Sequence, residues 1–189
     1  MFNLQKIDPP LESERQDFLK SFGIQTPQVG VVECNLAGRT YNEFCLSANE
    51  MGRRLFGRDL IDPTLLDSLA FRPEFNQRVS LNSTPLRINS NFFKEQNDFM
   101  TRDDQFRGFE SQGRESAVLE DGVVGHIAYT LATGRDLFNG GLGFAVLGSL
   151  YVSTSGLDVW SFGNVLQSPG MIIENESKHD FSQNQNLLQ

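Results

Sequence analysis

Cysteine and histidine are nearly absent: Cys34, Cys45, His126 and His179 are the whole supply. No Cys-x-x-Cys occurs and no histidine lies close in sequence to either cysteine, so neither a zinc site nor a disulfide framework is expected. A reducing compartment is the simplest setting. So few histidines also restrict acid–base chemistry near neutral pH, and His126, in an apolar segment, is expected to be a packed interior residue. Long apolar runs are missing too. The longest, "GLGFAVLGSLYV" from Gly141 to Val152, is well short of the ~20 residues that span a bilayer. The start, "MFNLQKIDPP", lacks the basic-then-apolar design of a secretory signal. No membrane partner is expected, and the expected location is a virion or the cytoplasm, without export by a signal peptide.

Positive charge is scarce in the second half. The formal net charge is −8; residues 1–95 contribute −1 and residues 96–189 contribute −7, and after Arg135 the only Lys or Arg is Lys178. Such a surface repels phosphate backbones, so nucleic acid is not an expected partner. Arg53, Arg54 and Arg58 form a local basic group, which reads as a solvated helix face because no basic stripe continues it. Nucleotide-binding loops are absent as well. "NGGLGFAVLG" has glycines without the Lys-Ser/Thr of a P-loop or the third glycine of a dinucleotide fingerprint, and no Gly-x-Ser-x-Gly elbow occurs. Neither a cofactor nor a metal is read from the chain.

What is plentiful is phenylalanine, with 16 copies against one Trp and three Tyr, in a chain rich in Asn and Gln. The 189 residues are enough for one well-buried core. "DPPLESERQDFLKSFG" predicts a helix capped by Asp8, with Leu11, Phe18, Leu19 and Phe22 as its apolar stripe. A strand follows from Val29 to Cys34. A second helix runs from about Asn42 to Phe56, where Phe44, Ala48, Met51 and Leu55 recur at helical spacing and Gly57 stops the run. A third, short helix opens at Asp62-Pro63, turns Leu65, Leu66 and Leu69 to one side, and ends before Pro73. "RVSLN" and "LRINSNF" then alternate across "NSTP" and predict a hairpin.

Residues 94–116 lose all periodicity and read as an extended arm or long loop, since most connections in compact domains are ~4–6 residues. Residues 118–138 are ambiguous and read as a helix. Strands on either side of "TSGLD" and a short one at "MIIENE" complete the pattern, and the tail from 177 is polar. The expected core includes Phe44, Met51, Leu55, Leu66, Leu69, Val79, Ile88, Val146, Leu150 and Trp160. The fold class is therefore α+β: a small single domain with N-terminal helices, a C-terminal antiparallel β-hairpin region and extended arms. Residues 1–93 form its first half, 94–116 the arm, 117–176 its second half and 177–189 the tail.

The carboxylate pairs Asp103-Asp104 and Glu120-Asp121 point apart on a helix or strand and read as solvated surface. Ser153-Thr154-Ser155 followed by Glu174 and Glu176, with Arg39 upstream, resembles the Arg…Ser-Thr-Ser…Glu-x-Glu pattern of ADP-ribosyltransferases. The resemblance covers these six residues. It implies NAD as substrate, Arg39 on its phosphates or ribose, Ser153 at the nicotinamide pocket, and Glu176 stabilising the oxocarbenium character as the glycosidic bond breaks. The chain departs from the pattern in having 18 residues between Ser155 and Glu174, Gly38 in place of the aromatic before the Arg, and no long loop ahead of Glu-x-Glu. A strand-turn rich in Ser, Thr and Gly accounts for the same residues by local hydrogen bonding.

With no catalytic set, the composition favours contact as the protein's work. Isolated aromatics in polar surroundings, Phe99, Phe106, Phe109 and Phe181, are expected to anchor it to other protein subunits, possibly copies of itself. The expected function is a structural subunit of a large assembly, with a virion component (capsid, cement, neck or tail) the best single case. The alternatives are the transferase using Arg39, Ser153 and Glu176, and a soluble regulatory module that captures one partner.

Overall fold

A computed structural model describes residues 4, 7–89, 118–135, 144–153, 156–162, 173–177 and 186–187, with the backbone alone for Asn89 and for the strands from 144 onward. Its class is α+β, helices around a small antiparallel sheet. Helix α1 (Pro9–Ser21) starts where Asp8 accepts the Leu11 N–H and two prolines fill the first turn, positions that have no helical N–H to lose. Helix α2 (Tyr41–Phe56) starts on a capping box in which Thr40 and Glu43 each accept the other's backbone N–H. It stops at Gly57, whose φ of +72° is a conformation that a side chain would disfavour. Asp62 caps α3 (Pro63–Ala70) through the Thr64 and Leu65 amides. Pro73 does not simply end this helix. It occupies the first turn of a further one, α4 (Pro73–Asn76).

The first sheet has the order β1-β2-β3, with β1 at Gln25–Gln28, β2 at Val31–Cys34 and β3 at Leu86–Asn89. β1 escaped the sequence reading because Gln25, Thr26, Pro27 and Gln28 are all exposed and show no apolar alternation. It is joined to β2 by the Val29-Gly30 turn, and its register slips once between Gln25 and Gln28. The expected hairpin of "RVSLN" with "LRINSNF" does not form. Val31 to Cys34 instead pair with Asn89 to Leu86, so β3 lies against a strand more than fifty residues away in sequence. The residues of "RVSLN" take a different job: Arg78 bridges Thr40, the Val79 N–H donates to the Arg39 carbonyl, and the Val79 carbonyl accepts the Gly38 N–H. Val79 is consequently half-buried and packs against the core from its edge.

Helix α5 (Leu119–Thr133) packs across β2 and β3 and against α1 and α2. It is buried nearly all round, which explains its weak periodicity in the sequence. At Gly125 the helix comes so close to the sheet that a Cβ would meet Ile88 Cγ1 at 3.0 Å. Arg15, buried on α1, caps the far end: its guanidinium donates to the carbonyls of Leu131 (2.9 Å) and Ala132 (3.3 Å) and forks onto Glu12. A cation there meets the negative end of the α5 dipole as well as carbonyls without helical partners.

The core is continuous from α1 to α5. Phe18, Phe22 and Phe44 form an aromatic cluster, with Phe22 and Phe44 edge-to-face at 5.3 Å. Met51, Leu55, Leu66, Leu69 and Ile88 are buried as expected, and Leu60, Ile61, Phe75 and Ile127 join them. Val146, Leu150 and Trp160 fall among residues for which the backbone alone is described. A second sheet, order β6-β5-β4-β7, comprises β4 (Phe144–Ser153), β5 (Gly156–Phe162), β6 (Ile173–Ser177) and β7 (Asn186–Leu187). β4 pairs antiparallel with β5, and β5 with β6. α5 also lies against β4.

Candidate functional site

Between the end of β2, the start of α2, the 79–86 segment and α5 lies a cleft of about 240 Å³. Its walls are largely apolar: Leu36, Val79, Leu86 and Val124, with the buried Cys34 beside them. Ser83 and the exposed Thr84 bring hydroxyls, and Tyr41 and Asp121 bring a polar pair in which the tyrosine hydroxyl donates to Asp121 Oδ1 at 3.1 Å. The cleft falls below the ~300–1,000 Å³ of sites for drug-sized ligands and has room for no more than a single side chain or a small molecule.

Burial raises the Asp121 carboxyl above the ordinary carboxylate range, opposed by the bonds from Tyr41 and from the Val118 N–H. The Tyr41 hydroxyl is raised by burial and by the negative charge of Asp121. Glu120, next along α5, is also raised by burial, but Arg72 Nη2 stands 3.6 Å from its Oε1. The sequence reading placed Glu120-Asp121 on solvated surface. Glu120 is instead buried and Asp121 half-buried, because α5 is covered on nearly every side. The two carboxylates turn to different partners, Arg72 and Tyr41. Asp103-Asp104 lie outside the described residues.

Cys34 and Cys45 are free and buried, and burial pushes both thiols up to about 12. They are thiols rather than thiolates at neutral pH, which makes them poor nucleophiles and poor metal ligands. Among the described residues, no group of three or more His, Cys, Asp or Glu could hold a metal, and no helix is long and apolar enough to cross a membrane.

His126 is fully buried in α5, and burial pushes its imidazole down to about 3 from 6.5. The unfolded chain gains a proton near pH 6.5 that the native chain refuses. The stability contributed by neutral His126 is therefore complete above pH 6.5 and lost as pH falls toward 3, at ~1.4 kcal/mol per pH unit. Glu120 and Asp121 act in the opposite sense over the range just above their ordinary values. The His126→Leu variant isolates the histidine: between pH 6.5 and about 5 the native chain should lose ~2 kcal/mol more than the variant in urea unfolding. Equal slopes would show that the imidazole is hydrated in the native state.

The residues of the transferase resemblance sit as follows. Arg39 lies in the loop between β2 and α2, its guanidinium 5.6 Å from the centre of the Phe22 ring. Ser153 ends β4 opposite Gly156, and Glu176 on β6 pairs with Val159. β5 therefore separates them, and their partners Gly156 and Val159 are three positions apart on it. Glu174 pairs with Ser161, and Thr154 and Ser155 lie outside the described residues. So do the expected contact residues Phe99, Phe106, Phe109 and Phe181, and His179. Of the basic group, Arg53 and Arg54 on α2 are paired with acids, Arg53 with Asp59 at 2.7 Å and Arg54 with Glu14, and Arg58 lies past the end of the helix.

Sequence reasoning missed the cleft because its residues come from three separated stretches of chain. It also missed Asn49, buried on α2, which accepts the N–H groups of Leu60 and Ile61 and donates to the Ile61 carbonyl. The signal was present: an amide in the middle of the apolar stripe of Cys45, Ala48 and Gly52. Compared with family models, curated proteins and solved structures, the chain has no significant match.

Proposed function

We propose that the protein is a structural subunit of a large assembly, with a virion component the preferred case, and that it acts through contacts with neighbouring subunits. The observation that carries this reading is the exposure of large apolar side chains beside the described core: Val29 is 95% exposed, Phe71 89% and Leu81 79%. Each stands in a turn or at a helix end, where it adds nothing to the described core. An aromatic held in water at the end of a short helix gains most of its burial energy only on a partner surface. By sequence alone, the polar-flanked Phe99, Phe106, Phe109 and Phe181 are further candidate anchors.

The mass of the purified full chain by light scattering, over a range of concentrations, tests the reading. Higher-order species are expected, and Phe71→Ser with Leu81→Ser should shift them toward monomer without moving the monomer's thermal midpoint. A chain that stays monomeric at every concentration and releases nicotinamide from NAD, with the release lost in Glu176→Gln, would overturn the subunit reading in favour of the transferase.

A further inference from the structure

We propose that the cleft bounded by Tyr41, Asp121 and the 79–86 segment binds a primary ammonium group carried on a short apolar stem, as in a lysine side chain or a small alkylamine. The reading stands independently of the subunit proposal.

The partners of Asp121, the Tyr41 hydroxyl and the Val118 N–H, are both neutral donors. Its neighbour Glu120 has a cation in Arg72, whereas among the described residues Asp121 makes no ion pair. A carboxylate that burial has partly stripped of water, and that no cation compensates, lowers its free energy most by meeting a charged donor. Asp121 also faces a space that can admit one. Among the described residues that line the cleft it is the sole charged one, and none of them is Lys, Arg or His.

The remaining lining decides what the cation is attached to. Leu36, Val79, Leu86 and Val124 offer hydrocarbon, which suits methylenes and offers nothing to the ribose or phosphates of a nucleotide. Ser83 can accept a second ammonium proton. An ammonium has three donors, and Asp121, the Tyr41 oxygen and a Ser83 or Thr84 hydroxyl are enough acceptors to receive them. A guanidinium is a poorer fit, since its planar fork prefers a bidentate carboxylate whose two oxygens are both free, and Tyr41 already occupies Oδ1.

Titration of the full chain, followed by ¹H–¹⁵N NMR, tests this with butylammonium, with Nα-acetyl-lysine methylamide, and with the uncharged Nα-acetyl-norleucine methylamide. Both amines should shift the amides of Leu36, Tyr41, Ser83 and Val124, and the norleucine compound should bind at least about tenfold more weakly, as expected for a hydrogen bond to a charged group. Affinity for the amines should fall as pH is lowered through the range in which Asp121 takes up its proton. Asp121→Asn, which keeps an acceptor for Tyr41, should lose about tenfold for the amines and nothing for norleucine. Preference for the acetyl-lysine compound over butylammonium identifies a polypeptide lysine as the source, and the reverse preference a free amine. The norleucine and pH arms need no variant, so a failure of Asp121→Asn to fold leaves the test intact. Equal binding of charged and uncharged compounds, or no shift with either amine, would overturn the proposal.

Discussion

Replacing Phe44 by alanine is expected to lower the free energy of unfolding by about 3–5 kcal/mol, the usual range for a fully buried phenylalanine. The residue is wholly inaccessible, and its ring joins α2 to α1 through Phe18 and Phe22. Truncation removes the transfer energy of the ring and leaves a hole beside Phe18 and Phe22, and helices held by their caps cannot collapse far into it. The neighbouring Leu46, on the outward side of the same helix and more than half exposed, serves as the control. Its alanine variant should change stability by no more than about 0.5 kcal/mol. Urea unfolding at constant m measures both. A loss below about 1 kcal/mol for Phe44→Ala would mean that α1 and α2 do not pack as described.

Asn49→Leu should cost about 3 kcal/mol or more, although leucine is close to asparagine in shape and far more apolar. The substitution leaves the Leu60 and Ile61 N–H groups and the Ile61 carbonyl in the interior without their partner, and each unsatisfied group costs about 1–3 kcal/mol. Those residues lie in the stretch that carries the chain from α2 into α3, so the damage should be local before it is global. Hydrogen exchange at the Leu60 and Ile61 amides should accelerate ahead of exchange in the middle of α2. Unchanged exchange at both amides would show that water can replace the amide, and that the site is more open than its burial implies.

The helices were legible because their signals are local. Asp8 and Asp62 each sit directly before an apolar run and Gly57 follows one, so α1, α2 and α3 could be drawn from neighbours in sequence, while the Thr40 cap of α2 emerged only with the structure. The sheet was not legible in the same way. β3 chose β2 over the adjacent "RVSLN" because Ile88 fits beneath α5, while Val79 was drawn to the loop ahead of α2. Alternation alone says that a segment can be a strand and is silent about its partner. The same holds for Glu120-Asp121, where the reading of solvated surface failed because burial of α5 on nearly every side is a property of its neighbours. The cleft depends on all of these placements at once. Tyr41 and Asp121, eighty residues apart, are partners because α5 packs against α2 and across β2 and β3.

The shape of β1 limits how copies of this domain can meet. An outer strand normally offers a row of unused backbone donors and acceptors, and a foreign strand that docks there starts a growing ribbon. β1 is four residues long, its register slips once, and Pro27 contributes no N–H. A template so short and interrupted resists runaway fibril growth. Union with a neighbour at this face would have to be made by side chains, which can be shaped for one partner, in preference to main chain, which is the same in all.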